Sequence, residues 1–105
     1  MDADAIYQSL VKAGEEWADL DAAASLLEET KKSVLAKLMA EADASSMAGK
    51  EMYALADSKY EAFITGMVSA RKLATKARVR YDSAKTLSEL RRSEESTRRA
   101  EMTFR

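Results

Sequence analysis

The sequence predicts an all-α protein, a long antiparallel helical hairpin of coiled-coil character. Three observations predict it. The chain carries twenty alanines, three glycines and no proline in 105 residues, so little in it interrupts a helix. Apolar residues recur at steps of four and three through both halves, the seam pattern of paired helices. No segment alternates with period two, and no Asn-Gly or Pro-Gly turn marks a hairpin of strands. The length supports one domain.

In the first arm the stripe runs Ile6, Leu10, Ala13, Trp17, Leu20, Ala24, Leu27, then Lys31 as a polar guest, then Val34 and Leu38. Beyond Leu38 it moves to Met39, Ala42, Gly49, Met52 and Ala56, as expected for a straight helix drifting against a 3.5-residue repeat. The second arm has Tyr60, Phe63, Ile64, Met67, Ala70, Ala74, Ala77, Tyr81, Ala84 and Leu87 on one face. Its alanines allow a partner helix to come close. Asp57 or Ser58 can cap this arm, and Ser58 with Glu61 three residues on matches a capping box.

These signals predict helix 1 over about 4–55, a turn at about 56–58 and helix 2 over about 59–103. The competing break is "DASSMAGK", 43–50, which would give three helices or unequal arms with a protruding basic tail. With the turn at 57–58, Gly49 faces Gly66, Asp21 faces Arg92, and Glu28 or Glu29 faces Lys85. Past Leu90 the second helix then has almost no apolar face to cover Ile6, Leu10, Val11 and Trp17, with Leu20 and Leu27 further along the same helix. Those six residues are the expected oligomer or partner interface, and a dimer of hairpins closing a four-helix bundle is the simplest arrangement that covers them.

Charge is nearly balanced overall, 17 basic residues against 18 acidic, but it is unevenly placed. Residues 1–30 hold eight acids against Lys12, a net of −7, whereas 71–105 hold eleven cations against five acids, a net of +6. Opposite ends therefore attract, within a chain or between copies. Every seventh residue of the basic half is a cation: Arg71, Arg78, Lys85, Arg92 and Arg99. One reading makes this ladder the charged margin of the seam. The other makes Arg71, Lys76, Arg78, Arg80, Tyr81 and Lys85 a weak contact for single-stranded nucleic acid, with phosphates on the cations and a base on the tyrosine. Glutamates threaded through the run favour the first reading, for instance Glu94–Arg98 and Glu95–Arg99 at i,i+4. Arg71, Arg78, Lys76 and Arg80 are the cations that lack an evident acidic mate.

The chain has no histidine and no cysteine, which removes imidazole bases, thiolate nucleophiles, disulfides and the usual di-iron ligand set. No catalytic residues, metal ligands or cofactor are expected. No apolar run reaches a membrane span, and the acidic start is unlike a signal peptide, so the sequence predicts a soluble protein of the cytoplasm.

From "KKSVLAKLMAEA" through "ELRRSEESTRRAEM" the chain resembles a group of small helical proteins of tailed bacteriophages, mostly uncharacterised. Their genes often lie beside those for single-strand annealing recombinases and single-stranded DNA-binding proteins. The shared features are Leu38–Met39, the turn residues Ala56, Ser58 and Glu61, the "ARVRY" run ending in Tyr81, and "ELRRS" from Glu89 to Ser93. Tyr60 falls one place earlier than in the group, and Lys59 stands where members often carry proline. The resemblance implies a non-enzymatic accessory of phage DNA metabolism with protein partners in recombination, in the host cytoplasm. It assigns no catalytic residue.

Overall fold

Each long helix begins on an aspartate. In the computed structural model, which describes residues 2–103, Asp2 is the N-cap of α1 (Ala3–Ala40) and its carboxylate accepts the Ala5 N–H at 2.7 Å. After a turn, Ser46 caps α2 (Met47–Ala56) by accepting the Gly49 N–H at 3.0 Å. Asp57, in an extended conformation, then separates α2 from α3 (Ser58–Thr103). Its side chain accepts the Lys59 N–H at 2.7 Å, and its carbonyl accepts from Tyr60 and Glu61 at 3.1 and 3.2 Å. Asp57 is thus the cap, and Ser58 is already helical, so the expected Ser58–Glu61 capping box does not form. The fold is all-helical, as the sequence predicts.

The single arm expected over 4–55 is two helices. At 41–46 the chain leaves the helix: Glu41 and Ala42 donate back to Leu38 and Met39 in tightened i−3 bonds. Asp43, Ser45 and Ser46 follow, and short polar side chains of this kind favour turns and caps over helix interiors. Met52, Tyr53 and Leu55 are helical, but in a separate ten-residue helix packed mainly on α1. The shift of the stripe past Leu38 is a break and not helical drift.

Removing α2 from the first arm changes the register of the hairpin. Trp17 lies against Tyr81, ring centroids 5.5 Å apart, instead of beside the polar end of α3. Counting seven residues back along each chain direction, Ala24 comes level with Ala74, and both are buried. Counting fourteen the other way, Ala3 comes level with Glu95, so the last turns of α3 run past the start of α1. The expected facing pairs Asp21–Arg92 and Glu28–Lys85 are therefore not formed. Nor do Gly49 and Gly66 meet: a Cβ on Gly66 would touch nothing within 4 Å, and one on Gly49 would touch its own cap, Ser46. The glycine at the close approach is Gly14, where an added Cβ would come 3.3 Å from the Tyr81 ring.

The seam is thin. Ala24, Ala54, Ala74, Ala77 and Leu38 are the buried apolar residues among those described, and none of the fully buried side chains is large. The molecule is a rod of 86 × 19 × 16 Å with a radius of gyration of 23.7 Å. A compact chain of this length would have about 13 Å.

Because Ala24 and Ala74 set the helix separation, Ala24→Leu forces the helices apart or a side chain off its rotamer. We expect a loss of about 1–3 kcal/mol, read as a lower midpoint in a thermal melt followed by circular dichroism.

Candidate interaction surface

The strongest polar contact between the long helices centres on Arg71. Its Nε and Nη2 donate to the two oxygens of Glu28 at 2.9 and 2.7 Å, a bidentate fork. Nη1 donates to Asp21 at 2.6 Å, and Nη2 also reaches the Ser25 hydroxyl at 3.3 Å. One guanidinium thus spans two turns of α1. The hydrogen bond from Arg71 holds the Glu28 carboxyl below its ordinary pKa, and the same bonds hold the guanidinium charge more firmly than in free arginine. Arg80 makes a second bridge, to Glu16 at 2.9 Å. Nine residues separate Arg71 from Arg80, half a rotation about the helix, so the two clusters hold the seam from opposite flanks.

This corrects the reading of the ladder. Arg71 and Arg80, which the sequence left without mates, are bound across the hairpin, as is Lys59, whose Nζ lies 3.7 Å from Glu41 at the end of α1. Arg99 pairs locally with Glu95 at 3.8 Å, while Glu94–Arg98 does not close. Lys76, Arg78 and Lys85 are exposed and make no ion pair among the described residues. Tyr81 is half-buried between Trp17 and Gly14, so its ring belongs to the seam and is not free to stack on a base.

The expected interface residues also lie on the seam. Ile6, Leu10, Trp17, Leu20 and Leu27 are half-buried on the side of α1 that meets α3. Val11, 36% exposed, points away from it. The shorter first arm lets the alanine-rich part of α3 cover Trp17, Leu20 and Leu27, while Ile6 and Leu10 still meet its polar end at Ser88, Arg91 and Arg92. What remains uncovered is elsewhere. Met47, Met52, Tyr53 and Leu55 are exposed on α2, Tyr7 and Leu26 on α1, and on α3 both scattered residues (Leu73, Leu87, Met102) and a row, Val68, Val79 and Leu90. That row had a signal in the sequence, a spacing of eleven, hidden beneath the stronger heptads.

The grooves along the rod are lined by helix-surface side chains. The one at the open end, about 290 Å³, runs between Ile6, Tyr7 and Leu10 on α1 and Ser88, Arg91 and Arg92 on α3. It gathers no buried polar groups of the kind that orient a substrate. Among the described residues no group of three or more acidic side chains is placed to hold a metal ion, and no helix is long and apolar enough to cross a membrane. No protein family, no curated protein and no solved structure matches the chain.

The Glu28 shift carries a pH dependence of known sign. A carboxyl whose folded pKa is depressed contributes stability above its unfolded value and loses it as pH falls through the folded one. Thermal melts from neutral to strongly acid pH should show that loss in the parent chain, and a flatter profile in Arg71→Gln and Glu28→Gln. Equal slopes in all three would mean the fork contributes nothing in solution.

Proposed function

We propose that this is a non-enzymatic assembly or adaptor protein that acts as a self-associated set of hairpins, a dimer in its simplest form. One observation carries the reading. The chain exposes 8164 Å², whereas a folded monomer of its mass exposes about 5,800 Å². Part of the excess comes from rod shape, and part is apolar: among the described residues thirteen large hydrophobic ones are more than a third exposed. Isolated apolar residues on a surface are ordinary, but on a two-helix rod with an alanine seam they leave the fold short of buried area. Association with further helices supplies it.

The phage resemblance supports a setting, an accessory of phage DNA metabolism with protein partners in recombination, in the host cytoplasm. A second reading, weak binding of single-stranded nucleic acid, is favoured by Lys76, Arg78 and Lys85, three of the exposed cations of helix α3 that the hairpin does not use.

Light scattering on the eluting protein separates the two. The assembly reading expects the mass of two or more 11.6 kDa chains at micromolar concentration, unchanged by single-stranded oligothymidylate. A mass of one chain over the whole range would overturn it. The nucleic-acid reading expects anisotropy of a labelled oligothymidylate to rise at low salt, to fall back as salt is added, and to be lost in Arg78→Glu/Lys85→Glu.

A further inference from the structure

The outer face of α3 is built differently from its inner one. Inward, residues repeat by seven: Tyr60, Met67, Ala74, Tyr81 and Ser88 form one row. Outward, Val68, Val79 and Leu90 repeat by eleven and are 58, 55 and 57% exposed. Thr75, Thr86 and Thr97 repeat by eleven between them. Eleven residues make three turns of a straight α-helix to within about 20°, so both rows stay on one line along the rod. That line lies on the far side of α3 from Ala74 and Ala77, and no element of this chain covers it.

The line reads the same in both directions. Starting from Val79, the next outward residue is four away on one side (Thr75) and four away on the other (Ser83). Three further on lie Lys72 and Thr86, and four beyond those lie Val68 and Leu90. We infer that this face is the contact by which two copies associate, α3 against α3 in antiparallel fashion, with a two-fold axis through Val79. The inference rests on the assembly reading and specifies its interface.

In this register the apolar and the small hydroxyl pairs match in kind, while Lys72 meets Thr86. Val79 meets Val79, Val68 meets Leu90, and Thr75 meets Ser83, so apolar faces apolar and hydroxyl faces hydroxyl. A two-fold contact requires this property, since residue i must fit j while j fits i. A different partner, or a head-to-tail contact, does not require it. Charge agrees on one flank. Arg78 and Asp82 stand one turn apart on either side of the axis, so each Arg78 meets the other copy's Asp82, twice by symmetry. On the opposite flank Lys76 approaches Arg80 of the other copy, a repulsion reduced by Glu16, which already holds Arg80 at 2.9 Å. A stable contact removes about 800 Å² from each partner. The excess surface of the rod exceeds that.

The chain has no cysteine, so single cysteines report the contact directly. In the full-length protein, Val79→Cys treated with a short bismaleimide should give a covalent dimer, while Ala22→Cys on the outer side of α1 should not. Val79→Asp changes a side chain exposed in the hairpin, so helicity should be retained and the mass should fall to 11.6 kDa. If the parent is dimeric but Val79→Asp stays dimeric, or cross-linking follows Ala22 instead of Val79, this face is wrong while self-association stands. If the parent is a single chain at every concentration, both fall.

Discussion

The rest of the molecule depends on how close α1 and α3 can come. Alanines at the centre of the seam, Ala24 against Ala74 with Ala77 beside them, let two backbones approach with almost no side-chain mass between them. Close approach brings many atom pairs into contact, but each alanine removes little apolar area from water. A hairpin built this way is straight and narrow, and it has little stability to spare. Polar contacts, aromatic contacts and uncovered faces follow from that starting point.

An alanine seam also defines register poorly, because one alanine fits a facing gap about as well as the next. The Arg71 fork and the Arg80 bridge, on opposite flanks, are directional where the seam is not. Surface ion pairs usually add little to stability. Their part here is specificity: a slide of three or four residues would turn both guanidiniums away from their carboxylates. The acidic first thirty residues and the basic last thirty-five thus complement each other within one chain at a few chosen positions, leaving several cations unused.

Much of this was legible in the sequence. The inward residues of α1, from Ile6 through Trp17 and Ala24 to Leu38, were given by the heptad steps, as were Tyr60 through Ala84 on α3. At one position side-chain type prevailed over spacing, and at another spacing prevailed over side-chain type. Lys31 is exposed and Thr30 turns inward; Leu87 is exposed and Ser88 takes the seam. The break at 41–46 was harder to read, since helix formers stand on both sides and no proline or C-terminal glycine marks it. Both candidate turns are real, and the chain uses them in succession. Which cations are paired could not be read before the register was known, because every facing pair shifts with the position of the turn. Hence Arg71 was placed among the free cations, although it is the most fully bonded one.

The cation ladder has a property that goes beyond its charge. Its rungs stand at the repeat of the seam itself, so a slide of one heptad would bring Arg78 to the place of Arg71, opposite the same Asp21 and Glu28. At the Arg71 fork the two alignments are alike; there the ladder is a ruler with identical marks. Two contacts differ: the slide would put Leu87 opposite Glu16 in place of Arg80, and it would take Tyr81 from Trp17, where Gly14 leaves room for one ring and Ser88 would leave that space empty. One aromatic pair and one bridge outside the ladder thus tell the hairpin which rung to use.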